Sequence, residues 1–112
     1  MTGGAGPRTG TLVVLFTPRA MRELLAAVTW WRKNRLEVPR MIDDDVERAL
    51  RRIAAFPRSA PIVRGRDARR LVLRRSGYLL FYRVRPRLRR IEVISVVHGR
   101  RAVSASGTRT AR

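Results

Sequence analysis

Between Ile53 and Leu71 the spacing of apolar residues changes from about 3.6 to about 2, and no other feature of the sequence limits the fold as much. Upstream of the change, Ala20, Leu24, Ala27, Val28 and Trp31 fall on one helical stripe, with Arg22, Glu23, Arg32 and Lys33 off it. Thr17 offers an N-cap hydroxyl and Pro18 takes the first helical position, where its missing N–H does no harm. That helix ends before Pro39, because the residue preceding a proline is pushed out of helical geometry. A second stripe follows at Ile42, Val46, Ala49, Leu50 and Ile53. Asp43, Asp44 and Asp45 open it, Arg48, Arg51 and Arg52 lie toward its end, and this is the polarity a helix dipole favours. Pro57 closes the segment. Two amphipathic helices joined by a short proline turn predict an antiparallel helical hairpin.

Downstream the pattern is that of strands. Leu71 and Leu73 alternate with Arg70 and Arg74, Ser76-Gly77 marks a turn, and Tyr78 to Val84 is aromatic and branched. A turn at Arg85-Pro86 leads to Ile91 to Val97, completing a three-stranded antiparallel meander. Leu12 to Phe16 adds a short apolar strand before the first helix. The expected class is α+β: N-terminal strand, helical hairpin, then meander, with the hairpin on one face of an antiparallel sheet and the other face left for a partner. Leu24, Val28, Val46, Leu50 and Ile53 are expected to form the core against Leu71 and Leu73. Residues 11–101 form the single domain that 112 residues allow. Residues 1–10, with four glycines and a proline, read as a mobile N-terminal tail, and 102–112, rich in Ser, Thr, Ala and Gly, as a flexible basic C-terminal one.

Charge narrows the function. The chain has 26 Lys plus Arg against 8 Asp plus Glu, a formal net charge of +18, and self-repulsion of that size points to an anionic partner. Lys33 is the only lysine; a GC-rich genome explains Arg over Lys, while the net charge itself is assigned to function. With no cysteine, disulfides, thiolate metal sites and Cys nucleophiles are all excluded, and no cofactor is implied. The run Leu12 to Phe16 is too short for a signal peptide or a membrane span of about 20 residues, so a cytoplasmic protein is expected.

This order of elements, with SGYLLFYRV from Ser76 to Val84 and IEVISVVHGRR from Ile91 to Arg101, resembles the RelE/ParE superfamily of bacterial type II toxins. The HGRR that follows a hydrophobic strand is similar to the ParE side of the family. The resemblance implies a toxin neutralised by a cognate antitoxin, encoded by an adjacent gene, whose acidic segment folds over the toxin surface. RelE-type members cut messenger RNA at the ribosome with a metal-free basic cluster and often a tyrosine beyond the last strand; ParE-type members block DNA gyrase. Set against the RelE pattern, Arg70 keeps its basic position, but Val72 and Leu79 stand where basic residues are expected, and no tyrosine follows Arg101. Cleavage by 2′-hydroxyl attack needs a base, an acid and cations for the developing oxyanion. Inhibition of gyrase is therefore the preferred reading, and a ribonuclease rebuilt from Arg70, Arg74, Arg83 and Arg100 is the alternative.

By similarity to ParE-type toxins, His98, Arg100 and Arg101 are candidates for contact with the target. Trp30, Leu79 and Phe81 are candidates for burial under the antitoxin. His98, the only histidine, has no carboxylate or serine in its local sequence and is read as structural or binding rather than as a general base. The three aspartates point different ways around a helix, so no metal site is expected from them. Trp31 lies on the buried stripe, and Tyr78 and Tyr82 share one strand face and are read as core. The arginines at 85, 87, 89 and 90 are equally consistent with a solvated turn.

Overall fold

The computed structural model describes residues 12–100. Both segments read as tails, and Arg101, lie outside the described residues. Strand β1 (Val13–Phe16) leads into helix α1 (Pro18–Asn34) and helix α2 (Met41–Ala55), followed by β2 (Arg69–Leu73), β3 (Tyr78–Arg85) and β4 (Arg90–His98).

Local chemistry sets the helix boundaries. The Thr17 hydroxyl accepts a hydrogen bond from Ala20 N–H at 3.1 Å, satisfying one of the donors a helix start leaves open. At the other end Trp31 donates Nε1–H to the Val38 carbonyl at 2.7 Å, and the Arg35 guanidinium lies over its ring. Both interactions tie the connection back onto the end of α1. Arg32 then pairs with Asp43 at 2.8 Å across the two helices.

The sheet order is β1-β4-β3-β2. The three later strands form the expected antiparallel meander, but β1 runs parallel to β4, with Phe16 opposite Val93. The sheet is thus mixed, not antiparallel throughout. Two helices intervene between β1 and the meander, and such a crossover lets a strand pair in parallel where a hairpin cannot. The β2–β3 turn is closed by Gly77 at φ +81, a conformation that other residues rarely take. Its N–H bonds the Leu73 carbonyl at 2.8 Å.

Helices and sheet close over a core in which Ile42, Ile53, Leu80, Tyr82, Ile91, Val93 and Val96 are the largest fully buried side chains. Of the residues expected there, Val46, Ile53 and Leu73 are buried, whereas Leu24, Val28, Leu50 and Leu71 pack at the margin. Tyr82 donates its hydroxyl to the Pro57 carbonyl at 2.8 Å, fixing the segment after α2 to the sheet. Burial is the main reason its phenol pKa is raised.

The aspartate run divides in function. Asp43 and Asp44 lie in the first turn of α2, as the dipole argument anticipates. Asp45 is instead buried and accepts the Ser76 N–H at 2.6 Å, tethering α2 to the β2–β3 turn. Arg48, one turn on, offsets its charge at 3.4 Å.

Candidate functional site

Alternation along a strand sends neighbouring side chains to opposite faces, and burial shows which face the helices cover. On β3, Tyr78, Leu80 and Tyr82 are buried beneath them, so Leu79, Phe81 and Arg83 belong to the open face. Register then assembles that face across strands. Val72, Leu79 and Val97 form one row, and Arg70 and Phe81 stand side by side in the next. Val72 is 47% exposed and Leu79, Phe81 and Val97 are partly so. Leu15, opposite Glu92 on β1, extends the apolar surface toward the other edge. The centre of the open face is therefore apolar, with arginines around it.

One carboxylate sits among those arginines. Glu92 accepts from Arg83 Nε at 2.8 Å and from Arg90 Nη2 at 2.7 Å, with Arg85 Nε 3.7 Å away. Hydrogen bonds from Arg83 and then Arg90 hold its pKa below the ordinary 4.5, against the opposing effect of burial. A carboxylate whose folded pKa is depressed adds stability above its unfolded pKa, and that stability is lost as pH falls through the folded value. Thermal unfolding of the wild type and Glu92→Gln should accordingly differ most at neutral pH and converge as the solution is taken below 4.5. A constant difference across that range would contradict this role.

A second surface lies on the opposite side of β4. Where β1 stops at Phe16, the outer edge of β4 is vacated and α1 runs alongside it. Glu23 fills the gap: its Oε1 accepts from Val96 N–H at 2.8 Å and from the Ser95 hydroxyl at 2.9 Å. Beyond it opens a groove of about 280 Å³, lined by Ala26, Trp30, Tyr78, Val97 and His98 among others. The rings of Tyr78 and His98 meet edge to face with centroids 5.1 Å apart, and His98 Nδ1 accepts the Arg100 N–H at 3.1 Å. Gly99 donates to the Gly77 carbonyl at 2.8 Å, and a Cβ on Gly99 would come within 2.9 Å of that oxygen. These contacts fix the end of β4 and so the direction in which Arg100 leaves it.

The sequence candidates are thus distributed over separate places. Leu79 and Phe81 share the open face, but Trp30, 48% exposed, stands on α1 beside His98. Of the four arginines of the ribonuclease alternative, Arg70 flanks the apolar rows, Arg83 is taken by Glu92, Arg74 lines a groove between α2 and β2, and Arg100 follows β4. Sequence reasoning missed Glu23, Asp45 and Glu92. Only Glu92 carried a signal, as the one acidic residue after Asp67. Among the described residues no three His, Asp or Glu side chains gather as metal ligands, and no helix is long and apolar enough to cross a membrane.

Comparison with known proteins returns one family and one fold. Residues 14–103 match the family model described as the ParE toxin of type II toxin-antitoxin system, parDE. A chain of the chromosomal ParDE TA system from P. aeruginosa shares the fold with a TM-score of 0.66 at 15% identity, over 80% of this chain and 98% of that one. A chain of the intact E. coli RelBE toxin-antitoxin complex aligns at 30% identity with a TM-score of 0.57, over 78% of this chain and 95% of that one. The isolated E. coli RelE toxin aligns at 29% identity with a TM-score of 0.58, over 88% and 98%. No curated protein sequence matches.

Proposed function

The chain belongs to the ParE toxin family of type II toxin-antitoxin systems, and from that premise we propose that it arrests growth in the cytoplasm by inhibiting DNA gyrase until a cognate antitoxin neutralises it. The observation that carries this reading is the apolar centre of the open face, where Val72, Leu79 and Val97 form one row and Phe81 stands in the next. Apolar groups cannot stabilise the negative charge that develops in phosphodiester cleavage, and losing one preorganised contact costs roughly a hundred- to a thousandfold in rate. The same face suits burial of a protein segment. Its rim of Arg70, with Arg83, Arg85 and Arg90 outnumbering the single Glu92 carboxylate they share, keeps an excess of positive charge that suits acidic residues in that segment, and attraction of this kind speeds association most at low salt.

Ribosome-dependent cleavage of messenger RNA is the second reading, favoured by the 30% identity to a chain of the RelBE complex and by exposed Arg70, Arg74 and Arg100. Induction of the chain without its antitoxin separates the two. Gyrase inhibition stops incorporation of labelled thymidine before that of labelled methionine; a messenger-cleaving toxin reverses the order.

Contact with the target is assigned to His98, Arg100 and Arg101. Arg100→Glu with Arg101→Glu should abolish growth inhibition, lowering gyrase affinity by about a hundredfold if each arginine makes a charge-assisted contact. Antitoxin binding and melting temperature should stay nearly unchanged. Full toxicity of the double variant would remove these residues from the site.

A further inference from the structure

A pocket of about 190 Å³ lies where β2 begins, away from the apolar rows of the open face, and arginines dominate its walls. Strand β2 starts at Arg69, opposite Tyr82, so β3 continues through Arg83 and Val84 without a neighbour on that side. Arg70 donates its N–H outward, to Pro61. By the alternation of an antiparallel ladder, Arg69 therefore faces β3, Tyr82 faces β2, and the Val84 N–H points into the gap where β2 would have continued. The segment after α2 folds over this gap and brings Arg58 and Arg66 to it.

Charge at the gap is unbalanced. Arg83 is neutralised by Glu92. Arg69 donates to the Arg58 and Ala60 carbonyls, which fixes its guanidinium without cancelling its charge. Asp67 is the only carboxylate in the lining, against Arg58, Arg66 and Arg69. Among the described residues, Arg58 and Arg66 form no ion pair. The unbalanced charge exceeds what one carboxylate ligand would offset. Planar guanidinium forks and an inward N–H instead suit an anion with several acceptor oxygens.

We propose that this pocket binds a phosphate group, either free or carried on a nucleic-acid strand. The assignment does not depend on whether gyrase or the ribosome is the target. It is tested on the full chain by following the Arg58 and Arg66 side-chain Nε–Hε resonances during titration with inorganic phosphate, a single-stranded DNA dodecamer, and acetate at matched ionic strength. Phosphate or the dodecamer should shift them saturably, and acetate should not. Followed through the Nε–Hε resonance of Arg69, which also lines the pocket and is kept in every variant, Arg58→Gln with Arg66→Gln should weaken the active ligand about tenfold or more, and Arg22→Gln with Arg40→Gln, which lie outside the pocket, less than about twofold. Saturation by both ligands with the same shifts identifies a strand phosphate; saturation by inorganic phosphate alone identifies a free one. Equal weakening in the two double variants would overturn the proposal, leaving only diffuse attraction to a chain of +18. Acetate matching phosphate would overturn it in favour of a carboxylate partner. Should the pocket variant melt early, Arg66→Lys keeps the charge but loses the fork, and unaltered phosphate binding in it would count equally against the site.

Discussion

Replacing Leu79 and Phe81 together by aspartate is expected to weaken antitoxin binding at least about a hundredfold while the toxin stays folded. Both side chains lie on the sheet face that the helices do not cover, so the core around Leu80 and Tyr82 is untouched. Apolar anchors at the centre of an interface are each worth about 2 kcal/mol or more, and two of them, allowing for non-additivity, correspond to about two to three decades in Kd. The new carboxylates also repel an acidic partner, which slows its approach. Titration calorimetry with the purified antitoxin, beside thermal unfolding of the free toxin, measures both parts. An affinity within about threefold of wild type would show that the antitoxin does not bury this face.

The second large effect is on stability. Ile53→Ala should cost about 2 to 5 kcal/mol, because Ile53 is fully buried between α2 and the sheet and the substitution leaves a cavity in a close-packed core. For a domain of this size that is a fall in Tm of roughly 10 °C or more. Leu50, which the helical stripe placed in the core, sits at its margin, so Leu50→Ala should cost clearly less. Urea unfolding of both variants tests the phase of α2. Equal losses at the two positions, or a larger loss at Leu50, would mean that the helix is rotated.

What could be read from the sequence was what is determined locally. Thr17-Pro18 opens α1 through contacts three residues apart, Gly77 closes a turn only its own backbone requires, and alternation alone put Tyr78 and Tyr82 on the buried face. The change of period separated helices from strands, and the order of elements led to the family. The features that escaped depend on distant partners. Asp45 could not be told from Asp43 and Asp44 without knowing that Ser76 N–H would arrive 31 residues later. Glu23 reads as one more charge beside the stripe until β4 brings Val96 to it, 73 residues on. Parallel pairing of β1 leaves no local trace either, since a short apolar run fits any neighbour. The same limit applies to the site: Leu79 and Phe81 could be assigned to one face by alternation, but the position of Trp30 on another surface required the packing of α1 against β4.

Inhibition of gyrase without cleavage of messenger RNA, the activity we propose for this toxin, is decided by a paired assay on one preparation. Purified toxin is added to a translating extract, where primer extension maps the messages, and to purified gyrase with relaxed plasmid, where supercoiling is followed. Intact messages with impaired supercoiling, or with gyrase trapped on DNA, are the predicted result. Discrete cuts at ribosomal A-site codons with normal gyrase activity would contradict it, and would mean that Arg70, Arg74 and Arg100 rebuild a cleavage site around the apolar face.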